Sequence, residues 1–180
     1  MRTTILSAAA LAAALTLSLQ ATAGADSIGV EDPADLGHGA DLRAVVVDHR
    51  ANNVVVTTTH TNLRPTWRSG SSGAVFLDTD PTDRGPEFAF VGGYFDGTDY
   101  ALVEAEGFHH RTWGAPIQGS YRMRLDYDLE HVRMRISREV LGYPDEVRVA
   151  VKVAGTRRDG SSTGNDWLGE PRSWTEWVGQ

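Results

Sequence analysis

Tyr121, Met123, Leu125 and Tyr127 alternate with Arg122, Arg124 and Asp126, and Val132, Met134 and Ile136 alternate with Arg133 and Arg135. Strict period two puts the two sets on opposite faces of an extended chain, so both runs read as half-buried strands. Only Asp128, Leu129 and Glu130 separate them, which predicts an antiparallel hairpin. Residues 146–153 repeat the pattern, with Val147, Val149, Val151 and Val153 on one face and Arg148 and Lys152 on the other. Residues 42–49 and 53–60 are rich in Val and Thr, which suit a pleated surface, and they flank Arg50, Ala51 and Asn52 as a second hairpin. Residues 73–79 form a buried-looking strand that ends on acids. Residues 87–92 and 99–105 pair across a turn carrying Asp96-Gly97. Residues 107–113 are a weaker strand, 155–165 a Gly/Ser/Asp loop, and 172–178 a terminal strand; 137–141 form one helical turn before Gly142 and Pro144.

These segments number nine or ten strands, with no amphipathic helix of ordinary length. Strands with one polar face bury only the other, so two sheets must pack face to face. The pattern predicts an all-β domain: a two-sheet antiparallel β-sandwich, jelly-roll-like, with an up-and-down barrel as the alternative.

The N-terminus reads differently. Met1 and Arg2 are followed by an uncharged, Ala- and Leu-rich run to Leu19, then by small residues at Ala21, Ala23 and Ala25. This is the layout of a cleavable secretory signal peptide over residues 1–25, with cleavage after Ala23 or after Ala25 both open. The run is shorter than the roughly 20 residues that span a bilayer comfortably. No paired arginines precede it, which favours the general secretory route. The expected organisation is therefore signal peptide 1–25, extended acidic lead-in 26–41 and β-sandwich 42–180. The mature protein is expected to be secreted, with no membrane span.

The chain carries 17 Lys+Arg and 24 Asp+Glu; losing Arg2 with the signal leaves 16 − 24 = −8. An acidic balance argues against a nucleic-acid partner. Cysteine is absent, so no disulfide forms, and an exported domain of this kind relies on its core or on a bound metal.

Six short stretches carry a resemblance: Asp32-Pro33-Ala34-Asp35, Leu77-Asp78-Thr79-Asp80, Gly85-Pro86-Glu87-Phe88, Asp99-Tyr100-Ala101-Leu102, Arg124-Leu125-Asp126-Tyr127-Asp128, and Asp166-Trp167 with Trp177-Val178. Together they span the chain after residue 25. In them the chain resembles a group of exported bacterial β-sandwich domains, related to the class of family 9 carbohydrate-binding modules and DOMON-like domains. The resemblance implies a sandwich fold and a binding role. Haem, which some DOMON domains carry between axial ligands such as Met and His, has no such pair singled out here.

Three constellations bear chemistry. Asp78, Asp80, Asp83 and Glu87 lie on one turning segment and offer carboxylates to calcium, which takes six to eight oxygens; Asp35 or Asp41 would extend the shell. The plain alternative is a solvated turn in which Asp accepts local amide bonds. Trp67, Trp113 and Trp167 sit in or beside Gly-, Ser- and Pro-rich loops, where an exposed indole offers a flat face to a sugar ring; the competing reading is burial with the N–H paired. Arg122, Arg124, Arg133, Arg135, Arg148 and Lys152 all occupy polar positions, expected on one sheet face with Asp126, Glu104 and Glu106 near enough to neutralise them. An acidic glycan or cell-wall polymer is the sharper reading of that face.

Catalytic signatures are thin: no Gly-x-Ser-x-Gly elbow, no His-Glu-x-x-His helix, and adjacent His109 and His110 that point opposite ways on a strand. Glu104 and Glu106 share a face at i, i+2, as paired carboxylates of a glycoside hydrolase would. The leading expectation is a secreted non-catalytic module binding an extracellular glycan or cell-envelope polymer. A calcium-stabilised structural or protein-interaction domain is the alternative, and a hydrolase the third.

Overall fold

The structure, a computed structural model, describes residues 26–36, 40–68, 71–156, 159 and 161–180. The signal-peptide expectation falls on residues 1–25, outside them. Twelve strands are present among the described residues, in chain order β1 (Asp26–Glu31), β2 (Asp41–Arg50), β3 (Asn53–Thr61), β4 (Ser71–Asp78), β5 (Phe88–Tyr94), β6 (Tyr100–Ala105), β7 (Trp113–Pro116), β8 (Tyr121–Asp126), β9 (His131–Ser137), β10 (Glu146–Thr156), β11 (Ser162–Trp167) and β12 (Val178–Gly179). They build two antiparallel sheets. One has the order β1-β2-β3-β9-β8, and the other β11-β10-β4-β5-β6-β7, with β12 also pairing with β10. The molecule is an all-β sandwich and not a closed barrel. No helix among the described residues is long and apolar enough to cross a membrane.

The inner faces meet in one core. Val45, Val47, Val54, Val56, Val132, Met134 and Ile136 come from the smaller sheet, and Val75, Leu77, Phe90, Leu102, Val149 and Val151 from the larger. Each fully buried aliphatic or aromatic side chain contributes roughly 1.5–3 kcal/mol of transfer free energy. The seven-stranded sheet also carries a second apolar layer on its outer face: Ala74, Phe76, Ala89, Val103, Ala105 and Ala150, covered by Phe108, Trp113, Trp167 and Trp174. Continuous apolar runs such as Ala74-Val75-Phe76-Leu77 and Phe88-Ala89-Phe90-Val91 therefore line both faces, as in strands buried on two sides.

Twelve strands exceed the nine or ten expected, and the additions are at edges. Residues 26–31, expected as lead-in, are extended and hydrogen-bonded along β2. Ile28 and Val30 are the only two apolar alternants there, too few to register as a pattern. Strand β11 begins inside the segment 155–165 read as a loop and runs two residues past it; it pairs with β10 through its backbone, which needs no apolar side chains. Beyond β6 the chain makes a 3₁₀ turn at His110–Thr112 before β7, and the terminal strand shrinks to two residues. The helical turn after β9 is present, ending at Gly142 with φ +78°.

Candidate functional site

The outer face of the five-stranded sheet is built on register. Arg122 lies directly across from Arg135, and Arg124 across from Arg133. On the next strand, Arg135 faces Val55 and Arg133 faces Thr57. Four guanidinium stems thus rise from a two-by-two block, with strand neighbours about 5 Å apart and successive outward residues about 7 Å apart. Like charges directly opposite each other are destabilising. None of the four makes an ion pair with a carboxylate among the described residues. Asp48, the nearest acid along the row, is ion-paired with Arg50 at 2.5 Å. Asp126 stands across from His131 and spends Oδ1 on the Leu129 amide at 3.0 Å. The side chain of Arg135 is fixed by Nε donating to Asn53 Oδ1 at 2.9 Å. Around these groups the sheet forms a cleft of about 330 Å³ lined by the four arginines with Arg50, Asn53 and Val55.

The expectation of a single six-cation face is corrected here. Strand β10 belongs to the other sheet, where Arg148 and Lys152 flank Ala150 on the outer face; Glu104 is on β6 of that same sheet, and Glu106 follows β6. Alternation separates inward from outward positions but carries no information on which sheet a strand joins.

Two of the three tryptophans share one aromatic cluster, and Trp67 stands apart. Trp67 is 69% exposed in the loop after β3, with the Arg68 guanidinium 5.4 Å from its ring. Trp113 and Trp167 are half-buried against Phe76; Trp167 stacks on it at 6.0 Å and 14°, and Trp113 donates Nε1–H to the Gly107 carbonyl at 3.2 Å. Trp113 also walls a groove of about 330 Å³ with Phe108, His109, His110 and Lys152 over a floor of Ser72, Ala74 and Ala154. Desolvation and the neighbouring His110, Arg111, Lys152 and Arg172 hold His109 below its ordinary pKa. Trp167 does not line this groove, and nothing brings the three indoles together.

Asp78, Asp80, Asp83 and Glu87 do not converge either. Asp78 is fully buried and accepts from Arg148 Nε and Nη2 at 2.9 and 2.6 Å. Asp80 is exposed and accepts from the Thr82 amide and hydroxyl at 2.8 and 2.7 Å, which lowers its pKa. Asp83 accepts from the Arg84 amide. Glu87 Oε2 accepts from Thr79 N at 2.6 Å, and burial raises its pKa. The carboxylates serve local turns and one arginine. Glu104 and Glu106 line a polar groove of about 730 Å³ with Glu87 and Arg111.

A convergence of acids occurs elsewhere. One carboxylate oxygen from each of Asp32, Asp35 and Asp166 lies within 4.8 Å of the others. Asp32 follows β1 and Asp166 is on β11, so the group joins the two sheets. Burial pushes Asp166 up to about 6; the Leu42 amide opposes this, and Asp35, Asp32 and Asp41 add to it. Asp32 is raised as well, first by burial. Asp32-Pro33-Ala34-Asp35 and Asp166-Trp167 are conspicuous in the sequence, but 134 residues separate Asp32 from Asp166, and spacing gives no hint that they meet. No protein-family model and no curated protein matches the chain.

Proposed function

We propose that this is an exported, non-catalytic binding module that holds a polyanionic extracellular glycan or cell-envelope polymer on the arginine face of its five-stranded sheet. The observation carrying the reading is the block of Arg122, Arg124, Arg133 and Arg135, cross-strand from one another and, among the described residues, not ion-paired with any carboxylate, on a chain that is acidic overall. Like charges set directly opposite each other cost the fold stability, whereas an anionic chain laid across them would relieve the repulsion and receive bidentate hydrogen bonds. Guanidinium forks suit carboxylate, sulfate or phosphate groups equally, so the repeating anion is the recognised feature. The first 25 residues support export, and the resemblance to carbohydrate-binding sandwiches agrees with a binding role.

The test is retention of the purified protein on immobilised polygalacturonate and on a polyphosphodiester wall polymer, with a neutral β-glucan as control. Binding is expected to the polyanions alone, to weaken steeply between low and physiological salt, and to fall at least tenfold in Arg124→Glu/Arg133→Glu. Retention on the neutral glucan that survives those substitutions would favour a second reading, a sugar seated in the Trp113 groove. His110→Ala, at its rim, would then reduce binding. No retention on any of the polymers at low salt removes both.

A further inference from the structure

Asp32 is 4% exposed and Asp166 2% exposed. Each uses one oxygen well: Asp32 Oδ1 accepts from Gly169 N at 2.6 Å, and Asp166 Oδ2 from Leu42 N at 2.6 Å. The second oxygen of each, Asp32 Oδ2 and Asp166 Oδ1, is buried without a hydrogen-bond partner among the described residues. An unpartnered buried carboxylate oxygen is costly, and two in one cluster cost more, because their charges repel. Asp35, exposed, completes the triad from the solvent side. Asp41, itself buried, holds the Asp35 loop by accepting from the Asp35 and Leu36 amides at 3.2 and 2.8 Å. Arg43 pairs with Asp41 at 3.5 Å and its charge also reaches Asp32, but among the described residues no cation is ion-paired with Asp32, Asp35 or Asp166.

We propose that Asp32, Asp35 and Asp166 form a calcium site that ties the two sheets together. All the donors are hard oxygens, with no imidazole or thiolate among them, which disfavours zinc and copper. Three carboxylates from two segments, two at fixed depth and one at the surface, match calcium's tolerance for irregular oxygen shells; magnesium prefers one or two carboxylates and retained water. The ion would sit between the end of β1 in one sheet and β11 at the edge of the other. In a chain without cysteine it would be the cross-link that closes this end of the sandwich. The site is remote from the loop at 78–87 and independent of the arginine face, so it stands or falls separately from the proposed ligand.

The test is titration calorimetry of chelator-treated protein with CaCl₂, alongside Tb³⁺ luminescence excited through the adjacent Trp167. One saturable calcium per chain is expected, with a melting temperature higher in calcium than in chelator. Asp166→Asn should abolish the calcium increment while melting no lower than the untreated wild type in chelator, because it removes a buried charge. Asp35→Asn, at an exposed position, should fold normally and weaken calcium binding at least tenfold; Asp80→Asn should leave binding unchanged. Absence of saturable binding at millimolar calcium overturns the proposal. So does wild-type affinity in both Asp35→Asn and Asp166→Asn, or binding of magnesium as tight as calcium.

Discussion

Asp78 has no solvent access, yet it carries a carboxylate, and the reason is Arg148. The guanidinium forks onto one of its oxygens and lies 4.5 Å from the ring of Trp177 and 5.1 Å from that of Trp174. Removing the cation would strand a buried charge. Arg148→Ala is expected to cost about 3 kcal/mol in a urea melt, with Arg148→Lys losing most of that because an ammonium cannot fork. His60 makes the opposite case. Burial opposes its protonation and holds its pKa down to about 3, while an unfolded histidine titrates near 6.5. Between those values the unfolded chain binds a proton that the folded one refuses. Stability therefore falls as pH drops from 6.5 toward 3, by up to about 1.4 kcal/mol per unit. His49, lowered chiefly by burial, adds a slope of the same sign. In His60→Leu the pH dependence of unfolding free energy across pH 6.5–4.5 should flatten measurably; an unchanged slope would assign it to other groups.

At the level of elements, β4 shows how a single residue fits strand to sheet. A Cβ built on Gly73 falls 1.9 Å from Tyr94 Oη and 2.3 Å from Cζ, and Tyr94 is fully buried in the core. Gly73→Ala must displace that ring, so a loss of about 1–3 kcal/mol is expected, read as a drop of several degrees in melting temperature. Gly97→Ala meets no atom but pays for φ +76°, and should cost about 1 kcal/mol. Legibility of the fold follows the same physics. The β8–β9 hairpin and β10 are readable because a one-sided core imposes period two over six or more residues. The edge strands β1 and β11 are held by ladder bonds, which leave little trace in side-chain type. The arginine block is half readable: alternation marks each arginine as outward, and the short turn makes β8 and β9 neighbours. That β10 lies in the other sheet depends on its pairing with β4, some 70 residues away, and no local pattern encodes it. The acid cluster is less readable still, because two of its members meet only after both sheets have formed.

For the molecule as a whole, the two ends of the described chain meet at one end of the sandwich. Val178 is buried at 3% exposure, β12 pairs with the start of β10, and the Val178 carbonyl accepts from His49 Nδ1 at 3.0 Å. Gln180 accepts from Arg138, whose guanidinium also donates to the carbonyls of Ala51 and Pro144. These last residues therefore brace β2, the turn after β9 and β10 simultaneously. Removing residues 178–180 exposes the pocket that Val178 fills, a loss of roughly 1.5–3 kcal/mol, and leaves the buried His49 ring without its acceptor, a further 1–3 kcal/mol or so. A variant ending at Trp177 is expected to melt roughly 10 °C lower, since each kcal/mol shifts a domain of this size by about 2–4 °C. A variant lacking Gln180 alone keeps both Arg138 carbonyl bonds and the whole of β12, so it should lose less than about 3 °C. Equal melting of the full chain and the variant ending at Trp177 would mean that the two-residue strand contributes nothing, and that the sheets are closed from the acid-cluster end alone.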